Sequence, residues 1–163
     1  MTTSVFKNYY TDIIKPALII LILGLSLGSA WADPKLSDGQ TLYVPVYSHI
    51  YIGHKASPYT LTVTLSIRNI DPESSLLITT VDYYGTGGNL IRKYLTEAVT
   101  IPPMASTRYV VKQADKTGGS GANFIVKWTS RKKTNAPIVE SIMIGTQSQQ
   151  GISFTSRGQE IAP

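Results

Sequence analysis

Hydrophobic and polar residues alternate along several segments of the chain, and a period of two predicts β-strands with one buried face. The clearest case is 60–68, where every second residue from Leu61 to Ile67 is aliphatic and the residues between them carry hydroxyls. Helical periodicity is absent after residue 32, and so is the alternation of strands with helices that doubly wound and P-loop folds require. The pattern therefore predicts an all-β protein.

Runs rich in β-branched and aromatic residues, separated by turn residues, predict eight strands. These are 42–52, 60–68, 76–84, 90–95, 108–112, 124–129, 138–144 and 152–155. The Gly-rich segment 85–89 predicts a hairpin turn. We expect an antiparallel immunoglobulin-like β-sandwich of about seven to eight strands, with Trp128 in its core.

A hydrophobic segment near the N-terminus has the composition of a secretory signal peptide. A weakly basic start is followed by an apolar run of eleven residues, 17–27. Ala30 and Ala32 then form the small-residue pattern that signal peptidase accepts. We therefore expect residues 1–32 to form a signal helix that is cleaved after Ala32.

An uncleaved membrane anchor is the alternative for the same segment. The apolar stretch 16–31 has sixteen residues, fewer than the about 20 that a spanning helix needs. Cleavage would leave 33–163 as a single β-sandwich domain. This domain would be exported across the cytoplasmic membrane to the periplasm or the extracellular space, and would contact the membrane only if the N-terminal segment is retained.

Composition narrows the class of protein further. The chain lacks Cys, which excludes a disulfide scaffold, a thiol nucleophile and a zinc ribbon. An exported small domain without disulfides fits a bacterial envelope better than eukaryotic secretion. Residues 33–163 keep thirteen of the fifteen Lys and Arg and nine of the ten acids, a formal charge of +4. That mild excess suits an anionic surface but does not select a partner.

The first predicted strand carries the most distinctive candidate surface. In a continuous strand over 42–52, one face would carry Tyr43, Pro45, Tyr47, His49 and Tyr51. If exposed, this face is a flat amphipathic platform that stacks on sugar rings or anchors a protein partner, and if covered, it is ordinary packing. Pro45 lacks a backbone donor, so it predicts a sheet edge or a bulge, and an edge accepts a partner strand by β-augmentation.

Candidate catalytic groups are few. His49 and His54 would lie on opposite faces of a continuous strand, and nothing in the sequence supplies the further ligands of a zinc site. Ser130 and Lys133 match S-x-x-K, but without an opening helix or partner motifs. Asp82 lies in a strand beside two tyrosines, which suits either a ligand-binding acid or an outward residue with a polar neighbour. We expect no catalytic residue, no metal and no cofactor.

Two Gly-rich segments, 85–88 and 118–121, precede no helix, so they predict turns with positive φ rather than phosphate cradles. The basic run 131–133 predicts a solvated loop. Nucleic-acid binding is disfavoured, because no aromatic residue interleaves with the run and the protein is expected to be exported.

Several strings in the chain are long enough to be specific when taken together. They are YVPVYS at 43–48, TLSIRN at 64–69, VDYY at 81–84, GANF at 121–124 and GISFTSRG at 151–158. Together they resemble a bacterial family defined as domain of unknown function 3124. The resemblance covers nearly all of 33–163 and implies a small exported or envelope-associated β-domain, with no established activity, ligand or catalytic residue.

Two classes of function follow. The first is a non-enzymatic binding or assembly domain of the bacterial cell envelope, with an envelope protein or glycan as partner. Its candidate contact residues are Tyr43, Tyr47, His49, Tyr51 and Asp82. The alternative is a hydrolase or ligand-processing enzyme acting on an envelope polymer, which would need Asp82 or a histidine in a cleft with a shifted pKa. The scarcity of catalytic groups favours the first class.

Overall fold

The alternating segments form β-strands, as the sequence predicts. A computed structural model describes residues 36–147 and 149–162, and all regular secondary structure in these ranges is β. The strands in this part are β1 (Leu36–Val46), β2 (His49–Ile52), β3 (Ser57–Thr60), β4 (Thr62–Arg68), β5 (Leu76–Tyr84), β6 (Leu90–Lys93), β7 (Val99–Ile101), β8 (Ser106–Val111), β9 (Ala122–Asn135), β10 (Ile138–Gln147), β11 (Gln150–Arg157) and β12 (Gln159–Glu160). The predicted signal segment, 1–32, lies outside the described residues. The expected seven to eight strands were too few, because three short strands have no sequence signal and one long predicted strand is divided.

The described strands pair antiparallel throughout. The large sheet has six strands in the order β12-β1-β9-β5-β6, with β7 also pairing β5. The four-stranded sheet has the order β11-β10-β4-β8, and β2 pairs β3 in a hairpin of its own. The described part of the chain contains no long apolar helix of the kind that crosses a membrane.

The large sheet and the four-stranded sheet supply one hydrophobic core. Its largest fully buried side chains are Trp128, Tyr59, Tyr83, Phe124, Leu61, Leu65, Ile67, Leu76, Ile78, Met143, Val44 and Val46. Each buried aliphatic side chain of this kind stabilises the fold by about 1.5–3 kcal/mol. Trp128 lies in the core, as predicted, and its indole Nε1 donates to Oε1 of Gln40 at 3.2 Å.

The sequence predicts one continuous strand over 42–52, but the chain leaves the large sheet after Val46. Ser48 explains the break. This residue is fully buried, and its backbone N and Oγ each donate to Gly119 O at 3.0 Å. Its own carbonyl oxygen accepts from Leu61 N at 2.9 Å. These long-range bonds turn the chain, so the prediction of a single strand is wrong.

Pro45 lies at a sheet edge, as its missing N–H predicts. β12 pairs β1 only at Leu42 and Tyr43, so no described strand pairs with β1 on that side at Pro45. On the other side Pro45 pairs with Asn123 of β9. The carbonyl oxygen of Pro45 accepts a hydrogen bond from Ser141 Oγ of β10, which links the two sheets.

The two Gly-rich segments form turns that contact each other. Gly88 and Gly119 have φ angles of 79° and 80°, the positive values that the sequence predicts. Thr86 donates from its backbone N and its Oγ1 to Gly118 O, at 2.8 and 2.9 Å. Thr86 Oγ1 in turn accepts from Gly121 N at 2.9 Å. Hydrogen bonds therefore fasten these two turns together.

The basic run 131–133 lies within β9 rather than in the predicted loop. This part of β9 is irregular. Between the pairs Ser37–Thr134 and Gly39–Thr129, β9 has the four residues 130–133 opposite the single residue 38 of β1. The run therefore bulges out of the ladder with β1.

A buried carboxylate, Asp71, joins the β4–β5 connection to the end of β9. Its Oδ1 accepts from the backbone N of Glu73 and Ser74 at 3.0 and 2.7 Å. Its Oδ2 accepts from the backbone N and the Nδ2 of Asn135 at 3.1 and 3.0 Å. The adjacent Thr134 hydroxyl and these backbone amides hold the pKa of Asp71 well below its usual range. Within the described residues, this hydroxyl forms no well-aligned hydrogen bond.

We expect Asp71→Asn to destabilise the domain at neutral pH. The carboxylate of Asp71 accepts hydrogen bonds on both of its oxygens, whereas the amide of Asn would place N–H donors against some of the same N–H groups. Because the folded-state pKa is lowered, the unfolded chain takes up the proton first as the pH falls. The contribution of Asp71 is therefore complete above the ordinary carboxyl pKa of about 3.9 and declines below it. Urea unfolding at about pH 7 and about pH 3 should show a gap between wild type and variant that narrows at the lower pH. A gap of equal size at both pH values would contradict this role.

Tyr59 fastens β3 to the β10–β11 hairpin. Its hydroxyl lies 3.1 Å from Gly145 O and 2.9 Å from Gln150 O, and donates to these carbonyl oxygens. The ring fits only because residue 145 has no side chain. A Cβ at this position would lie 2.6 Å from Tyr59 Cε1 and 2.7 Å from Thr60 O.

Gly145→Ala should lower the free energy of unfolding by about 1–3 kcal/mol, the usual range for overpacking. Gly151→Ala is the matched control in the same hairpin, because a Cβ there meets nothing within 4 Å. Thermal unfolding of both variants measures the difference. Equal melting temperatures for the two variants would show that the Tyr59 contact does not constrain position 145.

Candidate functional site

Pairing in the large sheet brings together residues that are far apart in sequence. Tyr43 of β1 pairs with Ile125 of β9, and Ile125 also pairs with Asp82 of β5. Asp82 pairs in turn with Lys93 of β6. Directly paired residues point to the same side of a sheet, so these four side chains form one row. Adjacent strands lie about 4.8 Å apart, which puts Tyr43 and Asp82 about 10 Å from each other along the row.

This row lies on the outer face of the large sheet. The neighbours of its members along each strand, such as Val44, Val81 and Val126, are fully buried in the core. Alternation therefore turns Tyr43, Asp82 and Ile125 outward. Tyr43 is 37% exposed, and Asp82 and Ile125 are half-buried.

A second row follows two residues further along each strand. Tyr84 pairs with Asn123 on one side and with Leu90 on the other, and Pro45 pairs with Asn123. Leu90 is 44% exposed. We call the combined surface the outer-face platform, and its members are Tyr43, Pro45, Asp82, Tyr84, Leu90, Lys93 and Ile125. It combines two tyrosine rings and aliphatic surface with one carboxylate and one ammonium group.

Asp82 has no ion pair or hydrogen bond to its side chain from another described residue. The ion pairs in this part of the chain are Arg68–Glu140, Arg92–Asp115 and Lys132–Glu73. Lys93 is the cross-strand neighbour of Asp82, but the two side chains do not meet within 4.0 Å. The carboxylate oxygens therefore remain open as hydrogen-bond acceptors on the platform.

The other predicted contact residues do not join the platform. Tyr47 lies just after β1, where its ring packs edge-on against Phe154 of β11 at 5.7 Å. His49 and Tyr51 lie on β2 with perpendicular rings 5.2 Å apart, and the His49 Nε2 and Tyr51 OH atoms are 3.3 Å apart. Tyr51 is 58% exposed. The expected tyrosine face is divided because the strand breaks at Ser48.

Sequence reasoning missed a cluster of aromatic and charged residues beside β6. The Tyr94 ring lies 5.6 Å from the rings of both Tyr109 and Phe124, and burial raises the pKa of Tyr94. The Arg92 guanidinium lies 5.4 Å from the Tyr94 ring centroid and 3.1 Å from Asp115 Oδ2. These contacts fix the chain after β6 against the segment after β8, and no local pattern in the sequence indicates them.

The described residues contain no group of three or more His, Asp or Glu side chains that could hold a metal ion. His49 lies on β2, His54 lies in the β2–β3 turn, and Asp82 lies on β5 of another sheet. The structure therefore does not bring the candidate acid and the two histidines into one element or one sheet.

These features define an all-β domain of antiparallel sheets with an exposed aromatic and charged face. Residues 39–161 match the family model described as protein of unknown function (DUF3124). The chain belongs to this family, which confirms the resemblance seen in the sequence.

One solved structure is similar at a low level. It is titled "Crystal Structure of Thermotoga maritima 1070", with a TM-score of 0.45 and 11% sequence identity. The alignment covers 74% of this chain and 92% of that chain. A likeness of this size carries no argument about function. The search of curated proteins found no match.

Proposed function

We propose that this chain is a non-enzymatic binding domain of the bacterial cell envelope, and that the outer-face platform is its contact surface for an envelope glycan. The row Tyr43, Ile125, Asp82 and Lys93 is the observation that carries the proposal. Tyrosine rings offer flat apolar faces with a polar tip. A free carboxylate accepts hydrogen bonds from hydroxyl groups. Sugar rings present apolar C–H faces and many hydroxyls, so they match both elements of this row.

The surroundings of Asp82 favour binding over hydrolysis of an envelope polymer. Most glycoside hydrolases need two carboxyl groups that flank the bond to be cleaved. The residues paired with Asp82 on its own face are Ile125 and Lys93, and neither is an acid. The other acids of the described residues lie on β1, β10 and β12 or in connections between strands, so none of them shares β5 with Asp82.

The location and the finer fold are part of the same proposal. The apolar run 17–27, followed by Ala30 and Ala32, supports export to the periplasm or the extracellular space. The two antiparallel sheets that share one core support an immunoglobulin-like arrangement of the sandwich. An envelope protein is the second kind of partner that the platform suits.

Tyr43→Ala should weaken binding of the full-length protein to purified peptidoglycan by roughly tenfold, the effect of losing an aromatic anchor. Asp82→Asn should also weaken it, because the amide replaces a charged acceptor. Co-sedimentation over a range of peptidoglycan concentrations measures both effects.

Tyr51→Ala is the matched control for this experiment, because Tyr51 is an exposed tyrosine outside the platform. Its binding should equal that of wild type. Equal losses for Tyr43→Ala and Tyr51→Ala would rule out the platform as the contact surface. Absence of wild-type binding to peptidoglycan would rule out this glycan as the ligand.

A further inference from the structure

A cavity of about 680 Å³ opens on the large sheet beside the start of β5. Its volume falls within the roughly 300–1,000 Å³ that is usual for small-molecule sites. Leu77, which is 38% exposed, lies between its cross-strand partners Thr100 of β7 and Thr129 of β9. These three residues line the cavity and give it an apolar strip bordered by hydroxyls. Leu77 is five residues from Asp82 along β5, roughly 16 Å, so the cavity is distinct from the platform row.

The bulge in β9 forms the other side of the cavity. Residues 130–133 leave the ladder with β1, and Ser130, Arg131 and Lys132 line the opening. Ser130 Oγ donates to Ser75 O at 3.4 Å, a long hydrogen bond. Lys132 Nζ lies 3.6 Å from Glu73 Oε2. Both contacts lie between the bulge and the residues that precede β5, so the bulge borders the cavity.

The charge at this cavity is positive. Arg131 and Lys132 line it, and none of its lining residues is acidic. Glu73 is the acid that contacts Lys132, and Arg131 forms no ion pair with any described residue. A guanidinium group binds phosphate or carboxylate through two parallel hydrogen bonds. The hydroxyls of Ser75, Thr100 and Thr129 can donate to or accept from the hydroxyls of a polyol.

We propose that this cavity binds a small polyol that carries one anionic group, either a phosphate or a carboxylate. Arg131 holds the anionic group, the Ser and Thr hydroxyls bind the polyol hydroxyls, and Leu77 contacts its C–H surface. The size of the cavity and its single unpaired guanidinium suit one charged unit rather than a long polyanion. The proposal does not depend on the platform, because the two surfaces share no residue.

Calorimetric titration of the full-length protein with sn-glycerol 3-phosphate and with glucuronate tests the proposal and distinguishes the two anionic groups. At least one should bind, and its affinity should fall as salt increases. Arg131→Ala should weaken that binding by about tenfold or more, since hydrogen bonds to charged groups are strong. Arg108→Ala, which removes an exposed arginine from β8 of the four-stranded sheet, should leave it unchanged.

Three results would overturn this site. They are binding of glycerol as tight as that of glycerol 3-phosphate, equal losses for Arg131→Ala and Arg108→Ala, and no binding of either anion up to about 10 mM. Amide shifts of Thr100 and Thr129 on titration, measured by NMR, would locate the ligand in the cavity. Tyr43→Ala should leave this binding intact, so failure of the platform and failure of the cavity are distinguishable.

Discussion

The two-sided pairing of β9 is the constraint on which the rest of the structure depends. This strand pairs with β1 on one side and with β5 on the other, and its residues Phe124, Val126 and Trp128 are buried. Because these three side chains are buried, the residues between them point to the outer face of the sheet. A slip by one residue would turn the aromatic side chains to solvent, so the register is strongly specified. The outer face, with Ile125 at its centre, is therefore a consequence of how the core is filled.

Local pattern was enough to predict much of the fold. The segment 76–84 forms β5 with the predicted bounds, and the alternation around Leu61 places buried residues in and next to β4. Period two is a local property, so a single strand reveals it. The break at Ser48 is different, because its Oγ bonds to a residue 71 positions away. No window of sequence contains both partners of that bond.

The sequence predicted individual residues of the candidate site but not their arrangement. Tyr43 and Asp82 stood out as polar or aromatic residues within strands, and Tyr84 shares the face of Asp82 by period two. Tyr43 and Asp82 lie in one row because both pair with Ile125, an aliphatic residue that does not by itself suggest a binding site. The register of β9 against both neighbours puts it between them. Register between distant strands follows from core packing, which the pattern of one segment does not contain.

Exposure alone does not single out the proposed contact surface of this domain. Tyr51 is more exposed than Tyr43, but it lies on the two-stranded β2–β3 hairpin, outside the large sheet. Tyr43 lies on a strand that is hydrogen-bonded on both sides, between β12 and β9. Ordering a contact residue costs binding energy, and a residue already held by its sheet avoids most of that cost. The place of Tyr43 in the large sheet, in one row with Ile125 and Asp82, therefore supports the outer face over the hairpin as the proposed contact surface.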